Sequence, residues 1–194
     1  MLVRSQESRH QFRALRAFLG VSDGPDEQYD KVDGSCEWLE ARDDFCEWRG
    51  LQFEGAAAAE TPAHNNTVSV YWVHANPGTG KSVLASHVVS RLQELQLECA
   101  YHYFHAGAKT SASLGRCLRS IAYQMAVSNA AICSKLSQLV QDGQSLDMDD
   151  ARIIWTTVFK KGIFQAGRFA PFPVASADHR MCQGSRLYTT ILGH

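Results

Sequence analysis

A short stretch near the middle of the chain has the residue types and spacing that hold phosphate groups. Asn76-Pro-Gly-Thr-Gly-Lys-Ser82 places two glycines close before a lysine and a serine. In a loop of this kind, successive backbone N–H groups wrap the β-phosphate of a nucleotide. Lys81 would reach the β- and γ-phosphates, and the Ser82 hydroxyl would ligate Mg²⁺. The chemistry indicated is binding of a nucleoside triphosphate, ATP or GTP, together with magnesium.

The predicted binding residues form one continuous run, and Ser82 is the predicted magnesium ligand. The run comprises Ala75, Asn76, Pro77, Gly78, Thr79, Gly80, Lys81, Ser82 and Val83. Ala75 stands where the strict pattern G-x-x-x-x-G-K-[ST] has its first glycine, whereas Gly78 and Gly80 are present. No residue is predicted to be catalytic.

The segments around this loop predict the elements that position it. The run from Val68 to Ala75 is typical of a buried strand, and the run from Val83 to Leu95 has the period of a helix. Leu97 to Phe104, rich in aromatic residues, predicts a second strand. Two strands joined by a crossover helix form a βαβ unit, and hence a parallel sheet. We therefore predict an α/β fold of the three-layer P-loop NTPase type.

Residues 1–20 carry apolar side chains at helical spacing beside several arginines. This pattern suits an amphipathic helix on an anionic membrane or a partner, but we favour the tail of a helix that links to something upstream, with the arginines on its wet face. Two interpretations are also open for Arg116 and Arg119, which lie on a predicted helix from Leu114 to Met125. These arginines would reach a phosphate or, as we expect, lie on the solvated side of the helix. Asp147 and Asp149 resemble a metal-binding cluster, but we interpret them as caps of the helical run that follows.

Aromatic residues between Ser35 and Trp48, Trp38 among them, predict one helix or two short ones. We expect these side chains to pack in the core, with stacking of a tryptophan on a base as the alternative.

Bulk composition excludes several functions and partners. The formal net charge of −1 gives no reason to expect nucleic acid. No apolar run reaches the ~18–20 residues of a membrane span, and no signal peptide is recognisable, so we expect a cytoplasmic protein. The six cysteines contain no C-x-x-C pair, which favours reduced and mostly buried thiols. A zinc site built on Cys99, His102 and His105 is the weaker interpretation.

Four segments together resemble a known family. Trp72 to Leu84 resembles the P-loop of NACHT-type NTPases of the STAND class, found in large fungal proteins. These include heterokaryon-incompatibility proteins and the nephrocystin-like N-terminal domain group. Gly34 to Leu39 resembles the segment that this family carries before its P-loop. Cys99 to Phe104 and Arg119 to Met125 resemble its second strand and the next helix, so the similarity covers roughly residues 10–165.

The resemblance implies a signal-transduction ATPase domain, a switch that exchanges nucleotide, self-associates and moves a neighbouring effector domain. It implies that Gly78, Thr79, Gly80 and Lys81 hold the phosphates and Ser82 the magnesium. It also implies that the region around Trp38 lies near the base.

The resemblance stops near Gln165. The family's third strand, closed by acidic residues that complete the magnesium site, has no counterpart between Lys160 and His194. We therefore expect an incomplete parallel sheet and nucleotide binding without useful turnover. A truncated product or a misjoined gene model would explain the break. The alternative is a non-enzymatic, scaffold-like or poorly folded fragment of a larger receptor-like protein.

The predicted organisation has three parts. Residues 1–33 are an N-terminal helix with an acidic linker, and 34–165 are a partial NTPase domain. Residues 166–194 are an irregular, poorly ordered tail, in which Tyr188 to Leu192 is the single candidate strand.

Overall fold

The computed structural model describes residues 2–21, 29–30, 32, 34–47, 70–76, 78–96, 99–104, 114–167, 172–178 and 185–192. Of residues 2–8, 70, 72, 172–178 and 185–192 the backbone alone is described. The chain divides into two compact units. The helical unit comprises Met1–Pro25 and His105–Arg168, and the sheet unit comprises Asp26–Phe104 and Phe169–His194.

The helical unit is built from α1 (Leu2–Leu19), α4 (Leu114–Ser128), α5 (Ala130–Gln141) and α6 (Ala151–Ile154). A π-helical segment, Trp155–Lys160, and a 3₁₀ turn, Ile163–Gln165, follow α6. α1 contacts α4 and α5, and its Leu15 and Leu19 are fully buried. The N-terminal helix thus packs within its own unit, and a link to something upstream stays a prediction.

Side-chain caps begin two of these helices. The Asn129 side chain accepts hydrogen bonds from the N–H groups of Ala131 and Ile132 at the start of α5. Asp150 does the same for Arg152 and Ile153 at the start of α6. The prediction that Asp147 and Asp149 cap this helix is therefore wrong, because Asp150 supplies the cap. Asp147 instead bonds the N–H of Asp149.

The prediction that Arg119 lies on the solvated side of its helix is wrong. Its side chain is buried, and its guanidinium donates hydrogen bonds to the carbonyl oxygens of Leu19 at 2.8 Å and Gly20 at 3.0 Å. A further bond reaches the carbonyl oxygen of Gly115 at 3.3 Å. Helix periodicity placed Arg119 off the apolar face, but the free carbonyls at the C-terminus of α1 need donors, and a cation is favoured there.

The sheet unit contains α2 (Glu37–Glu40), a helical turn at 43–47, and α3 (Lys81–Glu94). Its strands are β1 (Val70–Ala75), β2 (Ala100–Phe104), β3 (Phe172–Asp178) and β4 (Ser185–Leu192). They form a sheet in the order β1-β4-β3-β2. β4 runs antiparallel to β1 and β3, whereas β3 runs parallel to β2.

The α/β class is confirmed, but the sheet is mixed rather than parallel. β1 and β2 run in the same direction, as a βαβ unit requires, but β4 and β3 lie between them. The expected poorly ordered tail supplies both of these strands. Tyr188 to Leu192, the candidate strand, lies within β4. β3 was missed because its sequence contains a proline and small residues without apolar alternation.

One apolar cluster holds the sheet unit together. Leu84, Val88 and Leu92 of α3 are buried as their spacing predicts, and they share the cluster with Leu39 and Tyr103. Leu95, the last residue of the predicted helix, is 45% exposed because α3 ends at Glu94. Where the structure describes the chain, no helix is both long and apolar enough to cross a membrane.

Buried hydrogen bonds join α3 to its neighbours within this cluster. The hydroxyl groups of Ser86 and Tyr103 share a bond of 2.9 Å. The backbone N–H of Tyr29 donates to the Ser86 hydroxyl oxygen at 2.7 Å, and the Tyr29 ring meets the Tyr103 ring edge to face. These contacts fix α3 against β2 and the segment before α2.

We expect Arg119→Met to lower the free energy of unfolding by about 1.5–3 kcal/mol. Methionine keeps much of the length of the side chain but leaves the carbonyls of Leu19 and Gly20 without their charged donor. Thermal and urea unfolding of the full chain measure the change. Arg13→Met, an exposed arginine of α1, is the matched control. Equal melting temperatures for the two variants would contradict the capping role.

Candidate functional site

The loop predicted to bind phosphate lies between the end of β1 at Ala75 and the start of α3 at Lys81. The predicted order of strand, loop and helix is therefore present. Since β1, β2 and β3 run the same way, their carboxyl ends lie at one edge of the sheet, the edge where this loop begins. In open α/β sheets, ligands bind outside the carboxyl ends of the strands.

Two glycines give the loop its shape. Gly78 has φ of +81° and Gly80 has φ of +86°, values at which a side chain is strained. A Cβ added to either glycine would meet nothing within 4 Å, so the backbone faces open space. Gly80 begins α3 without a side-chain cap. The N–H groups of the first turn are therefore not capped by a side chain, and the positive end of the helix dipole adds to them.

Lys81 is folded back over the loop. It is 8% exposed, and its ammonium group donates hydrogen bonds to the carbonyl oxygens of Ala75 at 2.8 Å and Asn76 at 2.5 Å. The Thr79 hydroxyl oxygen lies 3.3 Å from the same nitrogen. That hydroxyl donates to the carbonyl oxygen of Asn76 at 2.7 Å. The loop thus surrounds a buried positive charge with its own carbonyl oxygens.

The other predicted residues occupy the ends of the same loop. Ser82 is buried in the first turn of α3, at 6% exposure, and Val83 packs against the apolar cluster. Ala75 is partly buried at the end of β1, and Asn76 is exposed. Pro77 lies outside the described residues.

A cavity of about 390 Å³ opens beside the loop. Thr79, Gly80 and Lys81 line it, and so do Cys36 and Trp38 from the start of the sheet unit. Its size falls within the range of about 300–1,000 Å³ that is typical of ligand sites. The structure thus brings the predicted phosphate loop and the predicted Trp38 segment into one cavity.

A bidentate ion pair lines another part of this cavity. The Arg42 guanidinium donates two parallel hydrogen bonds to the Asp44 carboxylate, at 2.8 and 2.7 Å. Asp44 also accepts a bond from the N–H of Phe45 at 2.9 Å and one from the Tyr71 hydroxyl at 3.3 Å. Sequence reasoning missed these residues. An Arg-x-Asp pair within an aromatic segment was the available signal.

The hydrogen bonds of the pair, together with its charges, shift the pKa values of the two groups in opposite directions. The hydrogen bond from Arg42, together with its positive charge, lowers the pKa of Asp44 from 3.8 to about 2. The Asp44 carboxylate raises the pKa of Arg42. Burial, with the nearby Asp44 charge, raises the pKa of the Tyr71 hydroxyl. The pair is therefore fully ionised at neutral pH.

The segment that carries Trp38 is fixed to α3. Cys36 and Leu39 are buried in the cluster that contains Leu84 and Val88. His87 Nε2 lies 3.6 Å from the Glu40 carboxylate, so α2 also meets α3 through a polar contact. The position of Trp38 is thereby coupled to the helix that follows the phosphate loop.

The zinc interpretation gains no support. Among the described residues, no group of three or more His, Cys, Asp or Glu side chains is arranged to hold a metal ion. His105 lies outside them. Burial raises the pKa of the Cys99 thiol to about 11. The five described cysteines are free thiols, and Cys182 lies outside the described residues.

Comparison with known proteins identifies one family. The protein-family model described as nephrocystin 3, N-terminal, matches residues 34–174 of this chain. The match begins at Gly34, the first residue of the segment predicted to precede the P-loop, and ends within β3. It therefore extends past Gln165, where the sequence resemblance was expected to stop. No curated protein and no solved structure matches the chain.

We expect the Asp44 carboxylate to titrate near pH 2. Because folding lowers this pKa from 3.8, the ion pair contributes stability above that value and loses it as the pH falls through about 2. Carbon-detected NMR of the side-chain carboxyl measures the midpoint. Arg42→Ala should return the midpoint toward 3.8. A wild-type midpoint already near 3.8 would contradict the ion pair.

Proposed function

The chain belongs to the nephrocystin 3 N-terminal family, and on that premise we propose that its sheet unit binds a nucleoside triphosphate with Mg²⁺. One observation supports this most strongly. A buried lysine begins α3 directly after two left-handed glycines whose backbone faces open space. Phosphate oxygens satisfy such a loop, because they accept hydrogen bonds from several N–H groups and offset the lysine charge.

Each residue of the loop has a role in this proposal. The N–H groups of Gly78, Thr79 and Gly80 surround the β-phosphate. Lys81 exchanges the carbonyl oxygens of Ala75 and Asn76 for β- and γ-phosphate oxygens. The Ser82 hydroxyl is a ligand for Mg²⁺, which, when bound, neutralises phosphate charge.

We further propose binding with little or no hydrolysis. Phosphoryl transfer needs positioning and charge neutralisation beyond those supplied by a loop lysine and one hydroxyl. Among the described residues that line the cavity, Asp44 supplies the carboxylate, and Arg42 already binds it. Asp178, at the carboxyl end of β3, is the acidic residue to test first if turnover is found.

The finer identity is also a proposal. Trp72 to Leu84 supports a NACHT-type switch of the STAND class with a P-loop NTPase fold, as in fungal receptor-like proteins. Self-association through such domains and a cytoplasmic location belong to the same proposal. The second candidate, a scaffold-like fragment that binds no nucleotide, and the truncation near Gln165 stay hypotheses.

We expect Lys81→Ala to weaken binding of Mg-ATP or Mg-GTP about 10- to 100-fold, because it removes a charged donor to two phosphates. Isothermal titration calorimetry of the full chain measures the affinity. Lys161→Ala, an exposed lysine of the helical unit, is the control. Melting curves without nucleotide show whether Lys81→Ala remains folded.

Three results would contradict this proposal. Wild-type protein that binds neither nucleotide, and whose melting temperature is unchanged by them, supports the scaffold alternative. Equal affinities for wild type and a folded Lys81→Ala variant would exclude the loop as the phosphate site. Steady phosphate release that Asp178→Asn abolishes would show that a carboxylate completes the site and that the protein turns nucleotide over.

A further inference from the structure

Trp38 stands out among the aromatic residues of its segment. Its side chain is 55% exposed, whereas Leu39 beside it is 1% exposed and Cys36 is 9% exposed. Phe45, further along the segment, is buried in the same cluster as Leu39. The segment therefore packs through these other side chains and not through Trp38. Core packing, the role expected from the sequence, does not explain why a large apolar ring is left outside the core.

The exposed indole lies in the cavity that contains the phosphate loop. Trp38 lines this cavity together with Thr79, Gly80 and Lys81. A large aromatic ring exposed in a concave site is a recurring feature of small-molecule binding, in contrast to one exposed on a convex surface. The cavity thus combines a cationic loop for an anion with a flat apolar surface.

We propose that Trp38 is the platform on which the base of the bound nucleotide stacks, and that the base is a purine. This inference rests on the proposed function, because it identifies the residue that binds the base of the nucleotide whose phosphates the loop binds. The anchors on either side of Trp38 hold its backbone against α3 while leaving the ring accessible. Binding then requires little rearrangement of the segment.

The chemistry of the cavity favours a purine over a pyrimidine. Stacking between a base and an aromatic side chain depends on overlap of two flat surfaces, and a bicyclic purine covers more of an indole than a single ring does. The neighbouring Arg42–Asp44 pair adds hydrogen-bonding atoms without a net charge. It therefore suits the neutral sugar and base better than a further phosphate.

The experiment compares ligands with and without a base on the full chain. Isothermal titration calorimetry measures Mg-ATP, Mg-GTP, Mg-CTP and magnesium tripolyphosphate against wild type, Trp38→Ala, Trp38→Phe and Leu95→Ala. We expect Trp38→Ala to weaken the purine nucleotides roughly 5- to 100-fold and to leave tripolyphosphate unchanged. Trp38→Phe keeps most of the affinity because it keeps a stacking ring. Leu95→Ala removes an exposed apolar side chain that does not line the cavity, and it should behave as wild type.

Fluorescence provides a second readout that a structural role would not affect. The chain has four tryptophans, and stacking of a base on Trp38 quenches the emission of that residue. Mg-ATP should therefore quench the wild type but quench Trp38→Phe much less, although that variant still binds.

The outcomes separate this inference from the proposed function. If wild type binds tripolyphosphate as tightly as Mg-ATP, or if Trp38→Ala leaves Mg-ATP binding intact, the loop binds phosphates but Trp38 does not stack on the base. Tighter binding of Mg-CTP than of either purine nucleotide overturns the purine assignment. If Trp38→Ala weakens tripolyphosphate and Mg-ATP equally, Trp38 supports the fold and the inference fails. If wild type binds none of the ligands, both proposals fail.

Discussion

The buried ammonium group of Lys81 is the constraint on which the site depends. It lies at the N-terminus of α3, where the helix dipole is also positive, so two positive potentials meet at a buried side chain. Burial of an uncompensated charge is costly, and the carbonyl oxygens of Ala75 and Asn76 offset it in this structure. Any ligand that replaces those carbonyls has to bring negative charge.

The apolar cluster connects the Lys81 loop to the segment that carries Trp38. α3 contributes Leu84 and Val88 to the cluster, and the segment before β1 contributes Leu39. The helix that follows the loop and the segment that carries Trp38 are therefore packed together in one apolar cluster. The contact between Glu40 and His87 joins the same two elements. A ligand that spans the cavity would meet both ends already in position.

Local patterns predicted the loop well because each of its elements is specified locally. The apolar run of β1, the glycines and the period of α3 are short-range signals, and the structure has the strand, the turn and the helix in that order. β3 was not predictable, since its place in the sheet comes from pairing with β2 and β4, distant in sequence. Arg119 was misplaced for a related reason, because its partner Leu19 is distant in sequence. Asp44 was missed although its main partner, Arg42, lies only two residues away.

Amide hydrogen exchange of the loop tests the central claim most directly, because it reports on the backbone groups proposed to hold phosphate. The measurement compares the peptide spanning Asn76 to Leu84 with and without saturating Mg-ATP or Mg-GTP. We predict slower exchange at Gly78, Thr79, Gly80, Lys81 and Ser82, and unchanged exchange across α4 as the internal control. Unchanged exchange at the loop amides in the presence of bound nucleotide would contradict the account.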